Sequence, residues 1–326
     1  MRKRFVLTAC MIALIALTTG CGKSKDTTIF IMSDVQEGDH PSAIACDRFA
    51  ELVYDRTNGR IKIEVYHGDT LGSETEQLQQ VAAGGIDFAR ISGQLSNYEE
   101  DMKAFQSLYL YESEEAMWEV LKGPVGDALM TSEGFTSNNI QGLAWFSGGS
   151  RNFYNNKRVI TAPEDLAGLT LRVNTQHMIQ FLNNVGANPV NIAYNDIYNS
   201  INSGIIDGAE NNWPSYISTG HYEVAPYITI DQHTCIPEML IVSKSALESM
   251  SPKDQEIVKQ CAKEISDYQI QAMKDYESEA IKIAEEAGCT ITVLTPEQSA
   301  AFMEAGAKVN EVVSADLIDV INRLTK

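Results

Sequence analysis

A twice-repeated alternation of strand and helix patterns constrains this chain more than any other feature. The segment TIFIM (28–32) is apolar and β-branched. PSAIACDRFAELVYDRT (41–57) then carries Ile44, Phe49, Leu52 and Val53 at helical spacing and stops at Asn58-Gly59. RIKIEVY (60–66) alternates cleanly, ETEQLQQVAAGG (74–85) is a short helix closed by glycines, and IDFARIS (86–92) is the next strand. After Pro163 the order returns. DLAGLTLRV gives a strand, QHMIQFLNNVG a helix, NPVNIAY a strand, NDIYNSINSG a helix and IIDGAEN a strand. The strings AGGIDFA (83–89) and SGIIDGA (203–209) mark the same helix-to-strand passage in each half. Strands alternating with helices predict an α/β chain with parallel sheets covered on both faces. The repeat predicts two lobes of similar construction.

The ends of the chain differ from this body. Arg2, Lys3 and Arg4 precede the apolar run Phe5–Leu17, and Thr18-Thr19-Gly20-Cys21 follows. That is the layout of an export signal, and the apolar run is shorter than the roughly 20 residues a membrane-spanning helix needs. Residues 1–20 are therefore expected to be a lipoprotein signal peptide, with Cys21 as the lipidated residue and 21–26 as a polar tether. Removing them takes three cations and no acid from a chain of 326 residues and formal charge −19, leaving 306 residues and −22. Such a surface excludes nucleic acid as a partner. It also means that any anionic ligand needs concentrated local positive charge. At the other end, Ser251-Pro252 opens a helical pattern that runs to Ala287. At about 1.5 Å per residue this reaches roughly 50 Å, the length of a strut across both lobes; a coiled-coil helix is the alternative. A short strand and two further helices are expected after it.

Catalytic and metal signatures are missing. No Walker loop, Rossmann glycine pattern, His-Glu-x-x-His or Gly-x-Ser-x-Gly is present. The five histidines are scattered. Cys46, Cys235, Cys261 and Cys289 show no Cys-x-x-Cys spacing. They read as free thiols, with one disulfide left open as the alternative.

Binding chemistry is better represented. In LTLRVNTQ (169–176) the period of two puts Arg172 and Asn174 on one face and Leu169, Leu171 and Val173 on the other. With Arg151 in SGGSRNFY, two exposed-face arginines are expected, and a guanidinium fork fits a carboxylate with two parallel hydrogen bonds. DGAENNWPSY (207–216) adds Glu210, Asn211 and Trp213 in a loop after a strand, an address favoured by ligands of open α/β sheets. The Trp213 indole could face a sugar ring or fill the core.

The run LAGLTLRVNTQHMIQFLNNVGANPVNIAYNDIYNSINSGIIDGAENN, together with TNGRIKIEVYHGDTLGSETEQLQQVAAGGIDFA, resembles the solute-binding proteins of TRAP transporters, the DctP family. The resemblance implies a two-lobed, hinge-closing fold like that of periplasmic binding proteins, with a long C-terminal helix across both lobes. Residues 27–146 with 235–250 would form lobe 1, residues 147–234 lobe 2, and residues 251–326 the C-terminal helical segment. It implies no enzyme activity and no cofactor. It further implies a monomer, held at the outer face of the cytoplasmic membrane by its lipid or free in the periplasm, that passes a small organic acid to a TRAP-type permease. The ligand clamp would be Arg172, with Arg151 as a second arginine. Asn174, Tyr194, Asn211, Glu74, Gln36, Arg90 and Trp213 would line the site. GAENNWPSYISTGHYEV is similar to members that bind hexuronates such as glucuronate or galacturonate. A C4-dicarboxylate or another carboxylate, a sugar-acid enzyme, and the binding component of an ATP-driven importer are the alternatives.

Overall fold

The computed structural model describes residues 27–111 and 113–324. The expected signal peptide, Cys21 and the tether lie outside the described residues. In chain order the strands are β1 (Thr28–Ser33), β2 (Ile61–Tyr66), β3 (Phe88–Ile91), β4 (Ile140–Phe146), β5 (Ser150–Asn155), β6 (Thr170–Arg172), β7 (Asn188–Val190), β8 (Gly208–Asn211), β9 (Tyr227–Cys235), β10 (Glu238–Ser243) and β11 (Thr290–Val293). They form two sheets, ordered β2-β1-β3-β10-β4 and β11-β9-β5-β8-β6-β7.

Each half of the repeat supplies a parallel trio. β2-β1-β3 and β7-β6-β8 are parallel, linked by helices such as Pro41–Arg56, Glu74–Ala83 and Gln176–Asn184. The sheets as wholes are mixed, not parallel throughout. β10 runs antiparallel to β3 and β4, and β5 runs antiparallel to β8 and β9. β4, β5, β9 and β10 join the lobes: the chain passes from β4 to β5 and returns from β9 to β10. No helix separates either pair, so nothing in a strand–helix rhythm marks them. β10 is buried along its whole length, as a central strand covered on both faces must be.

The two crossings touch. A Cβ added to Gly148 would lie 2.2 Å from the carbonyl oxygen of Ile236. Gln269, buried on the long helix Pro252–Glu286, accepts from the Ser147 amide at 2.7 Å and donates to the Ser147 carbonyl at 2.9 Å. That helix is the expected strut. Ser251 caps it and Pro252 occupies its first turn. Val258, Cys261, Ala262 and Ile265 pack into the first lobe's core with Phe49 and Val53. Ala280 and Ala284 pack into the second's with Tyr154 and Tyr216.

The tail departs from expectation. A single helix, Pro296–Leu324, follows β11 where two were expected. Its Phe302 and Val309 bury against Leu108, Leu171 and Phe181, so one continuous apolar stripe holds it. Cys46, Cys235, Cys261 and Cys289 are free. Among the described residues, no helix is long and apolar enough to cross a membrane.

Gly148→Ala is expected to force the two crossings apart and to cost about 1–3 kcal/mol, the usual range for overpacking. Gly38, with open space around its Cα, should accept alanine within about 0.5 kcal/mol. Urea unfolding midpoints of the two variants check this.

Candidate functional site

The carboxyl ends of β1, β3, β6 and β8 converge between the lobes, where open α/β sheets place ligands. They enclose a cavity of about 180 Å³, lined by Gln36, Glu74 and Arg90 from the first lobe and by Arg151, Arg172, Asn174, Tyr194 and Asn211 from the second. Eight of the nine residues expected from the sequence therefore meet in one place. The ninth, Trp213, does not. Asn212 caps the helix Trp213–Ser218, its side chain accepting from the Ser215 amide at 2.7 Å. That turn directs the indole into the core, where it is 2% exposed and packs edge-on to Tyr216. Trp213 is a core residue. Glu210 and Asn211 are also not in a loop, since both lie within β8.

The two arginines of the second lobe are buried, not exposed as expected, with 7% exposure for Arg151 and 6% for Arg172. Their surroundings differ sharply. Arg151 donates through Nε to Glu210, through Nη1 to Asn211 Oδ1 at 2.8 Å and through Nη2 to the Glu210 carbonyl at 2.7 Å. Three of its five N–H groups are thus engaged. Glu210 in turn meets His233 Nε2 at 3.2 Å, and His233 Nδ1 meets Asp231 at 2.9 Å. Burial opposes every charge in this row, but the neighbours outweigh it. Arg151 is raised by Glu210, Glu210 is held at about 2 by Arg151 and His233, and His233 is raised to about 9 by Asp231 and Glu210.

Arg172 has no such partner. It ends β6, whose Leu169–Leu171–Val173 face packs into the core, and its Nε donates to the Ile192 carbonyl at 3.0 Å. Among the described residues no carboxylate lies within ion-pair distance of it. Burial lowers its pKa, and Arg151 works in the same direction against the pull of Glu210. A guanidinium nonetheless stays protonated, so this is a standing positive charge in a partly dry cavity. Two residues on, Asn174 Oδ1 is buried without a hydrogen-bond partner. The face that carries a cation and a carboxamide thus has both unmet.

The first lobe is arranged in the opposite sense. Arg90, expected as a ligand contact, is 1% exposed and ringed by acids: Asp34 at 2.8 Å, Glu238 at 3.0 Å and Glu74 at 3.4 Å. Its guanidinium serves these carboxylates. Glu74 also accepts from the Ser92 amide at 3.0 Å. Burial, with Glu74 and Asp34 adding to it, pushes Glu238 up to about 7 although Arg90 pulls the other way. Glu238 and Asp34 were not anticipated. The available signal was a single acid at the edge of an apolar run, in PEMLIV and in TIFIMSD. Tyr194 Oη donates to Gln36 Oε1 at 2.8 Å in the cavity lining, and between two fully buried residues Ser215 Oγ meets His40 Nε2 at 3.4 Å. Both bonds join one lobe to the other.

Comparison with known proteins follows the same lines. Residues 32–315 match the DctP model, described as bacterial extracellular solute-binding protein, family 7. A solute-binding protein of Chromohalobacter salexigens is 31% identical over 268 residues, 80% of this chain and 79% of that one. The crystal structure of a TRAP periplasmic solute-binding protein from Sulfitobacter sp. NAS-14.1 with bound β-D-galacturonate is similar at a TM-score of 0.86 and 31% identity. That match covers 90% of this chain and 98% of the other. One from Chromohalobacter salexigens with bound D-glucuronate is similar at 0.85 and 28%, over 91% and 98%. The chain belongs to the DctP family of bacterial extracellular solute-binding proteins, and it is a binding protein rather than an enzyme.

Proposed function

We propose that this protein captures a hexuronate such as glucuronate or galacturonate and delivers it to a TRAP-type membrane permease. The observation that carries this reading is Arg172, a buried guanidinium with four N–H groups uncommitted and no carboxylate beside it. A ligand carboxylate supplies the missing charge, and two parallel hydrogen bonds fix its plane. Arg151 contributes its two remaining N–H groups. The ligand hydroxyls find an acceptor in Asn174 Oδ1 and a donor in Asn211 Nδ2, since Asn211 Oδ1 already accepts from Arg151 and from the Asn212 amide. The sugar acids bound by the Sulfitobacter and Chromohalobacter proteins carry this chemistry, one carboxylate and several hydroxyls.

Capture proceeds by closure. Residues 27–146 with 235–250 act as one jaw and residues 147–234 as the other. The crossings at Gly148 and Ile236 bend, while the long helix of the 251–326 segment carries the strain. Closure removes water from the arginine–carboxylate pair, which strengthens its attraction but also costs desolvation of both charges. The ligand therefore shifts the jaws only by what it gains in the closed form over the open one. The Tyr194–Gln36 bond latches the closed form. A lipid on Cys21, followed by the 21–26 tether, holds the monomer at the outer face of the membrane beside its permease.

Arg172→Ala is expected to weaken glucuronate and galacturonate binding by about 3–5 kcal/mol, two to three orders of magnitude or more, while leaving thermal stability equal or higher. Arg151→Ala should instead weaken the fold, because it strips Glu210 of its closest cation and leaves the buried carboxylate with His233 as its one remaining charged partner. A loss of about 3–5 kcal/mol in unfolding free energy is expected. Calorimetric titration and urea unfolding separate the two. Near-native affinity in the Arg172 variant contradicts the clamp. Tyr194→Phe deletes the latch alone and should weaken binding by about 0.5–1.5 kcal/mol, visible in the same titration. Cys21→Ser should move the protein from the membrane fraction to the soluble fraction.

A further inference from the structure

We propose that Glu74 and Glu238, facing the Arg172 clamp from the opposite lobe, make that end of the site accept hydroxyls and repel carboxylates. The protein would then select polyhydroxy monocarboxylates over dicarboxylates of the same chain length. This rests on the reading of the cavity as a sugar-acid site and narrows it. Arg90 is the only cation among the first-lobe residues that line the cavity. Its Nε donates to Asp34 at 2.8 Å and its Nη1 to Glu238 and Glu74 at 3.0 and 3.4 Å, while Nη2, ion-paired with Asp34, is itself buried. Asp34 has His67, raised to about 9 chiefly by that contact, beside it as well, so the two acids that line the wall, Glu74 and Glu238, share Arg90 as their one cation and leave an excess of negative charge.

The oxygens that remain on that wall are acceptors. Arg90 takes Glu238 Oε1, and Oε2 has only a 3.5 Å contact from Ser42 Oγ. Glu74 Oε1 accepts from the Ser92 amide and from Arg90, and its Oε2 has a single contact, from Ser92 Oγ at 3.2 Å. A hydroxyl placed against them donates into a charged acceptor, one of the stronger hydrogen bonds available. A second carboxylate placed there meets like charge where water is scarce, and such contacts cost several-fold more than in bulk solvent. The raised pKa of Glu238, to about 7, has the same cause: burial first, then the repulsion of Glu74 and Asp34, against the pull of Arg90. The wall already resists its own third negative charge, so a ligand's second carboxylate is opposed by the same field.

Calorimetric titration of the full exported chain with galacturonate, galactonate and galactarate tests this. Galactarate carries carboxylates at both ends. Galactonate is its open-chain counterpart with one, so the pair removes the effect of ring opening. In the native protein, galactarate should bind at least about 100-fold more weakly than the tighter of the two monocarboxylates. Glu238→Gln keeps the side-chain shape and removes the charge, so the gap should narrow at least about tenfold. Glu74→Gln should act in the same direction and serves if the first variant fails to fold. Equal binding of galactarate by the native protein, or a gap unchanged in folded variants, overturns the proposal while leaving the sugar-acid reading intact. Binding of succinate with no response to any sugar acid overturns both.

Discussion

A guanidinium held in a nearly dry cavity without a carboxylate beside it is an unbalanced charge, and the rest of this site is organised around keeping Arg172 that way. Desolvating a cation is costly unless a partner compensates it. The simplest remedy, an internal ion pair, is withheld. Glu210, the nearest strong acid of the second lobe, is committed to Arg151 and His233. The acids of the first lobe are committed to Arg90. Each carboxylate that could quench Arg172 thus has a closer cation to hold. Arg172 retains one backbone carbonyl contact, through Nε to Ile192, which orients the fork without neutralising it.

The same arrangement explains how an acidic protein attracts an anion. The chain carries a formal charge of −19, so at long range it repels an anion, and salt screens most of that repulsion beyond roughly 8–10 Å. Inside the cavity the balance is local. Arg151 and Arg172 stand on one wall, with a protonated His233 behind Glu210. The attraction acts at short range and in low dielectric, where each charge counts for more than in bulk water. Closure then matters energetically as well as sterically. The hinge is built to be narrow, with Gly148 against the Ile236 carbonyl and Gln269 bonded to both sides of Ser147.

The parts of this fold that were legible in the sequence are those with a period. The two βα repeats, the long helix and the Arg172–Asn174 face follow from spacings of 2 and 3.6, because one side of each element faces a core. The hinge strands were not legible. β4 and β10 are buried on both faces, so their apolar runs carry no alternation. Their antiparallel pairing depends on partners about 100 residues away. Arg151, Arg172, Asn174 and Asn211 stood out because polar chemistry at strand ends is rarely needed for packing, and Arg90 because it lies near a strand end, whereas Gln36, Glu74 and Tyr194 came from the family resemblance. Trp213 misled because an aromatic after a strand reads equally as ligand platform or as core, and a single helical turn capped by Asn212 decides between them. Glu238 and Asp34 escaped notice because a lone acid beside an apolar run has meaning only when Arg90, from a different strand, is placed against it.

Arg151 and Arg172 share chemistry and address yet divide the labour. Two guanidiniums in one small cavity repel each other, and Arg151 contributes to lowering the Arg172 pKa. That repulsion is offset because Glu210 pairs directly with Arg151 and also pulls on Arg172 from beyond ion-pair distance. Neutralising Arg151 locally leaves a polar, hydrogen-bonding surface with most of its charge balanced. Arg172 alone then sets the demand for an anion. Were both unpaired, the closed form without ligand would carry two uncompensated cations and the jaws would resist approach. Were both paired, a carboxylate would gain little by entering. One locked arginine and one free arginine leave the second lobe with a single unmet positive charge, set against the acid-lined wall of the first.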